Sequence, residues 1–316
     1  MKILKAFKYR IYPSKEQQIL LGKTFGCVRH IFNHYLELQI KRYQNKEKLL
    51  SHFDINYLIT DLKKEREWLK EVDSVALISS AENLSVAYKN FFNSIAGKRK
   101  GAKVSPPKFK NKNSRQSYRT TYIHINEDGL IHLPKLKSVK AIIDREIPEG
   151  SAIKSGTVSK NPDGRYYVSI LVETEVEVKP VTGNEIGFDL GLKDLLITSC
   201  DLKFAKPNEL PNIARTKRLL KQAQKQFART NRGGKNREKK RLKVAKLYSK
   251  LTRQRNEYYH ILSKYLVDNY DSIYVENLAV KNMIKNRKLS RAIHEVAWST
   301  FTNMIEYKSF WAGRTP

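Results

Sequence analysis

Ile186-Gly187-Phe188-Asp189-Leu190-Gly191 and Ser272-Ile273-Tyr274-Val275-Glu276 are two short apolar runs, each ending in an acid. Runs of this length and composition read as buried strands, and the long helical stretch between them is the usual crossover joining parallel neighbours. If the two strands lie side by side, Asp189 and Glu276 converge on one cation. Two such cations about 3.5–4 Å apart clamp the attacking and leaving oxygens of a phosphodiester. That chemistry needs hard oxygen ligands and usually more than two carboxylates. A single acid at a strand end, taken alone, is as a rule a turn or cap residue.

Working outward, Lys179 to Asn184 reads as a linker, and a domain starts at Glu185. Leu195–Ser199 and Lys203–Ala205 read as hairpin-like strands. Residues 210–268 form a helical pair broken at Gly233-Gly234, and helical spacing returns from Ser290 to Trp311. Upstream, residues 2–12 alternate apolar and basic, a strand pattern. Ser14 is then placed to cap a helix with Gln17 as its capping-box partner, and residues 14–97 keep helical spacing. Gly97 to Asn113 is a basic loop around Pro106-Pro107. Short alternating runs follow at 118–125, 130–133, 139–143, 152–158 and 166–172, separated by Asp128-Gly129, Pro148-Glu149-Gly150 and Pro162-Asp163-Gly164. Strands at that spacing suggest a small barrel, so one β module is interrupted by a helical one.

The chain has 316 residues, 61 Lys+Arg and 31 Asp+Glu, a formal net charge of +30. With 40% hydrophobic and 10% aromatic residues, it is a folded protein of about two domains. A surplus of +30 strains a compact monomer unless a polyanion neutralises it. Nucleic acid is the leading candidate and an anionic membrane surface the weaker one. No apolar run is long enough to span a membrane, and the charged start lacks a secretory core, so the expected location is the cytosol. Cys27 and Cys200 form no CxxC, which rules out a disulfide framework or a Cys-rich zinc site. His30 and His34 stand at i,i+4 without a third ligand, and packing or surface exposure is their simpler reading.

The positive charge is concentrated. Residues 214–256 hold seventeen Lys/Arg against Glu238 alone, and 98–121 hold nine Lys/Arg and no acid. A solvated face explains a mixed-charge helix, but like charges at i,i+4 repel, and a phosphate backbone relieves them. In 98–121 the cations are interleaved with Phe109 and Tyr118, with Tyr122 next. Such aromatics can stack on bases, although a loop leading into a strand has the same composition. Ser79, Ser80, Asn83, Ser117, Tyr118, Thr120 and Thr121 offer small polar groups that could read duplex base edges; each alone could equally be a surface or cap residue.

Phe7-Lys8-Tyr9-Arg10-Ile11-Tyr12-Pro13-Ser14-Lys15-Glu16-Gln17, with Arg29 and Asn33 downstream, resembles the start of TnpB proteins, transposon-encoded RNA-guided nucleases related to type V CRISPR effectors. Ile186 through Lys193 resembles their first RuvC motif and Val275-Glu276-Asn277-Leu278 the second, continued by Leu289 to Trp298, Tyr307-Lys308 and Trp311. The resemblance implies an α+β multidomain protein. Residues 1–13 and 105–180 would form a wedge-type β-barrel and 14–104 an inserted helical recognition lobe. Residues 183–316 would form an RNase H-like RuvC α/β domain carrying the basic pair at 210–268. It implies a guide RNA as cofactor and double-stranded DNA as partner, one protein monomer per guide RNA, in the bacterial cytosol or nucleoid. Asp189 and Glu276 match the first two catalytic positions. Arg215, Lys217, Arg218, Lys221, Lys225, Arg229, Arg232, Lys235, Arg237, Lys239, Lys240, Arg241 and Lys243, with Lys8, Arg10, Lys108, Lys110 and Lys112, would hold RNA or heteroduplex. The serines, asparagine, tyrosine and threonines named above would read the target-adjacent motif. The family's four-cysteine zinc ribbon and third RuvC acid have no counterpart before Pro316. The resemblance is therefore strongest to the truncated, nuclease-dead TnpB-like repressors, which repress transcription by occupying DNA. Mg²⁺ would be held weakly and zinc not at all. The alternatives are an active RNA-guided endonuclease, or a piece of one, and a guide-free nucleic-acid-binding protein of transposition.

Overall fold

In a computed structural model of the protein, residues 1–99, 101–276, 278, 280–283 and 285–315 are described; Asn277 of the second motif and Pro316 lie outside them. The chain forms two compact units, Leu4–Thr174 and Met1–Ile3 with Glu175–Pro316. Each combines a sheet with helices. Among the described residues no helix is long and apolar enough to cross a membrane.

β1 (Lys2–Tyr12), which belongs to the first unit from Leu4 onward, is the strand its alternation predicts: Phe7, Tyr9 and Ile11 are buried and Lys8 and Tyr12 exposed. Ser14 and Gln17 form the expected capping box at the head of α1 (Lys15–Gln44). Gln17 also donates to the carbonyls of Leu136 and Ser138, 3.0 Å each, which ties the helix start to the sheet. After α2 (His52–Glu65) and a 3-10 turn, α3 (Ser74–Ile95) packs Ala76, Leu77, Ala81 and Leu84 into the core. Then come β2 (Gln116–Thr120), β3 (His124–Ile125), β4 (Leu130–Leu133), β5 (Lys137–Ile142), β6 (Ala152–Lys160) and β7 (Tyr166–Glu175).

The seven strands run in the order β2-β6-β7-β1-β5-β4-β3, so β2 and β3 are the edges. They are also consecutive in the chain, joined only by Thr121, Tyr122 and Ile123. Six inter-strand steps of about 4.8 Å put the edges of a flat sheet about 29 Å apart, while four links of about 3.8 Å reach at most about 15 Å. The sheet therefore has to curl until its edges approach. Ile123 closes the bend: it is buried and packs over Gly156, where a Cβ would lie 2.7 Å from its Cδ1. The single run expected at 118–125 is thus two strands flanking a corner.

The second unit holds β8 (Glu185–Leu190), β9 (Asp194–Thr198), β10 (Lys203–Ala205), α4 (Pro211–Ala228), α5 (Lys235–Asn269), β11 (Ser272–Val275), α6 (Val280–Met283), α7 (Arg287–Val296) and α8 (Trp298–Ala312). The sheet order is β10-β9-β8-β11, antiparallel except for the parallel β8–β11 pair. One face packs Ile186, Phe188, Leu190 and Ile273 with Tyr259, Leu266, Trp298 and Phe301 from α5 and α8. The helical stretch expected from Ser290 to Trp311 is two helices, because Ala297 adopts a left-handed conformation between them, with φ 49°.

Candidate functional site

The acid pair follows from strand register. In the parallel β8–β11 pair Ile273 lies beside Ile186, Tyr274 beside Gly187 and Val275 beside Phe188. Carried one residue further, the same register sets Glu276 beside Asp189. Side chains alternate along a strand. Since Ile186, Phe188, Leu190 and Ile273 point into the core, Gly187, Asp189 and Tyr274 occupy the other face, and Glu276 follows β11 directly; both acids are exposed. Neighbouring strands run about 4.8 Å apart, close enough for two carboxylates to share one cation. Gly191 ends this strand in a tight turn: a Cβ there would meet the Asp194 carbonyl oxygen at 2.9 Å. Among the described residues no further His, Cys, Asp or Glu joins the pair in a group of three.

A second feature lies within the first unit. A cavity of about 250 Å³ is bounded by α1, α3, β2 and the loop before β2. It gathers five of the seven polar residues singled out from sequence, Ser79, Ser80, Asn83, Ser117 and Tyr118, but not Thr120 or Thr121. Asn83 is exposed and Ser117 half-buried, whereas Ser79, Ser80, Tyr118 and Thr120 are buried. The Ser80 hydroxyl donates to the Val28 carbonyl at 2.8 Å. The Tyr118 hydroxyl and Thr120 Oγ1 are buried without a hydrogen-bond partner. Burial pushes the Tyr118 phenol well above its ordinary range, and the Asp73 carboxylate adds to the shift. A stacked duplex edge does not reach the buried four.

Four cations stand at this cavity: Arg29, Lys110, Arg115 and Arg119. Arg29 has a sequence signal, since it belongs to the amino-terminal motif. The role of Asn33 was hidden in sequence. Its side chain brackets Lys110, donating to the carbonyl and accepting from the amide at 2.8 Å each. This clamp seats the Lys110 ammonium 3.6 Å from the centroid of the Phe32 ring, where burial lowers its pKa. Lys108 and Lys112 are exposed on either side. On β1, Lys8 lies over the Tyr167 ring at 4.8 Å and Arg10 over Tyr12 at 4.5 Å.

The basic pair α4–α5 divides the same way. Arg215, Arg218, Lys221, Lys225, Arg229, Arg232, Lys235, Lys239 and Lys243 are exposed, and Lys240 is half-buried with its ammonium 3.5 Å from Gln226 Oε1. Lys217 is held by Glu295 at 2.7 Å, and Arg241 by Glu238 at 2.6 Å. Arg237 donates to the Thr230 carbonyl at 2.9 Å and stacks 4.4 Å from the Phe227 centroid, clipping the two helices at their connection.

Known proteins resemble this chain over its whole length. A family model described as "Helix-turn-helix domain" matches residues 1–48, and one described as "Probable transposase" matches residues 169–287. A protein of Streptomyces pristinaespiralis named "Putative RNA-guided DNA endonuclease" is 35% identical over 319 aligned residues, 99% of this chain and 76% of that protein. The chain belongs to the TnpB/IS605 transposase family. An Escherichia coli K12 member, "Putative RNA-guided DNA endonuclease InsQ", is 28% identical over 99% of this chain and 79% of its own. The fold is shared with a chain of the "Cryo-EM structure of the Cas12f1-sgRNA-target DNA complex". The TM-score is 0.58 at 12% identity, over 99% of this chain and 88% of that one. In this family member residues 1–48 are a strand and a single helix, not a helix-turn-helix.

Proposed function

We propose that the chain binds a guide RNA and, through it, a double-stranded DNA target, and that Asp189 and Glu276 serve metal-dependent cleavage of that DNA. The observation that carries this reading is the parallel β8–β11 register, which, carried one residue beyond Val275, would set Glu276 beside Asp189; both acids are exposed. The names of the 35% and 28% identical relatives support it. In these terms residues 1–13 and 105–180 are the wedge-type barrel, 14–104 the recognition lobe and 183–316 the RuvC-like domain. Base pairing reads the target, and the protein reads shape and the flanking motif. The exposed cations of α4–α5 and the 98–121 segment meet phosphates.

Two adjacent exposed carboxylates suit Mg²⁺, which takes hard oxygens and keeps several waters. Bound there, the ion supplies charge neutralisation at the phosphodiester. The chain's own part is positional. The β8–β11 ladder, paired as far as Val275 beside Phe188, would set both carboxylates on one face.

A second reading, guided DNA binding without cleavage and repression by occupancy, is favoured by one observation: no third acid joins the pair among the described residues. One experiment separates the two. The protein is purified with its co-expressed RNA and incubated with matched DNA and Mg²⁺. Guide-dependent cutting that Asp189→Ala abolishes, with target binding retained, supports the endonuclease. Guide-dependent binding without cutting supports the repressor. Tight binding indifferent to RNA overturns both.

A further inference from the structure

We propose that the cavity bounded by α1, α3 and β2 receives one unpaired nucleotide, swung out of its stack. The inference rests on the reading that the partner is nucleic acid, and it adds how that partner is held. Three features of the cavity argue for it. Its volume of about 250 Å³ is room for one base with its sugar. Its wall includes the Phe25 and Tyr118 rings, 5.9 Å apart and tilted by 55°, an apolar surface against which a base can lie. Its rim carries Asn83, whose amide both donates and accepts and can meet the Watson–Crick edge of an extruded base.

The charge is equally selective. Arg29 and Arg115 stand at the cavity and no acid lines it, which suits the phosphate of the same nucleotide. A site for bare phosphate would need neither an aromatic wall nor an amide. A site reading a stacked duplex would need its groups on the surface, whereas Ser79 and Tyr118 are 5% and 3% exposed. Only a base that has left its helix reaches them. Extrusion costs least where a nucleotide is already unpaired, so a bulged or single-stranded position is the expected source.

The first test titrates the full chain with nucleoside 5′-monophosphates and with inorganic phosphate. Nucleotides should bind at least about tenfold tighter than phosphate. Asn83→Ala, an exposed change, should cost about tenfold for the preferred base, the worth of one well-placed hydrogen bond, and Arg115→Ala should weaken all nucleotides alike. Phosphate binding as tightly as nucleotide, or both variants leaving nucleotide affinity unchanged, overturns the proposal. The second test places abasic sites one at a time along the bound RNA and along the DNA, in wild type and Asn83→Ala. The extruded position is the one where abasic and protein losses fail to add, and the strand carrying it names the source. Additive losses at every position of both strands also overturn the proposal. Because guide-dependent binding and cleavage can persist without such coupling, this failure is distinct from failure of the proposed function.

Discussion

The two units hold their candidate chemistry in opposite ways. The two acids are exposed, Asp189 on β8 and Glu276 just past β11, and the proposed site depends on that one pair of adjacent strands. The cavity is a recess assembled from two helices, a strand and a loop, and Ser79, Ser80 and Tyr118 in its lining are buried. A surface pair costs the fold little and depends on few residues. A recess depends on everything that packs around it, so its residues should respond to core changes that leave the acids indifferent.

The largest effects should therefore come from the cores and stay within their own unit. Trp298 and Leu36 are 2% and 0% exposed, each in a separate hydrophobic cluster. Trp298→Ala should cost about 3–5 kcal/mol and Leu36→Ala about 2–5 kcal/mol. In calorimetry each should lower one transition and leave the other in place. Leu36→Ala should also weaken nucleotide binding to the cavity, while Trp298→Ala should not. Both variants shifting a single common transition would dissolve the contrast between the units.

Next in size is the clamp on the basic loop. Asn33→Ala leaves the amide and carbonyl of Lys110 without their partner, and an orphaned buried polar group costs about 1–3 kcal/mol. Limited trypsin digestion should then cut faster at Lys108 and Lys110. Asn33→Asp keeps the acceptor and loses the donor, so its digestion rate should fall between. Equal rates for all three proteins would remove Asn33 from the account of how the loop is held.

The second unit offers a test by pH. Lys308 is half-buried and donates to the His260 carbonyl at 2.7 Å and to Ser263 Oγ at 2.8 Å; burial lowers its pKa from 10.5 to about 8. Between these values the unfolded chain carries the proton and the folded one does not, so stability rises as pH goes from about 8 to about 10.5. Solvent screening at a half-exposed site keeps the effect small. The difference between wild type and Lys308→Met, measured by denaturant midpoint, should follow that sign and appear only in the second unit. A flat difference across the window would show an ammonium that stays charged in the fold.

The same contrast explains what could be read from the chain alone. Alternation at Lys2–Tyr12, the Ser14/Gln17 capping pair and the Gly233-Gly234 break are local signals, and the structure carries all three. The parallel pairing of β8 with β11 needed only two buried strands and a crossover between them, so it was legible too. The corner at Ile123 was not, because it depends on Gly156, more than thirty residues away. Nor was the cavity, because Ser80 and Tyr118 look like any surface polar residues until α1 and α3 cover them. Ala297 had no signal either: its left-handed backbone runs against alanine's own preference.

The smallest effect separates neighbours on one helix. Lys217 and Arg218 are adjacent cations in a strongly basic stretch, and composition treats them alike. In the structure Lys217 pairs with Glu295, itself held by Arg291 at 3.2 Å, while Arg218 is exposed. A cation already neutralised by a carboxylate releases few counterions when a phosphate approaches, so Lys217→Ala should leave the salt dependence of nucleic-acid binding nearly unchanged. Arg218→Ala should weaken binding uniformly across sequences and reduce the log–log salt slope by about 1. Equal slopes in the two variants would mean that the Lys217–Glu295 pair opens on binding. The charge of the whole stretch would then count residue by residue, as composition alone suggests.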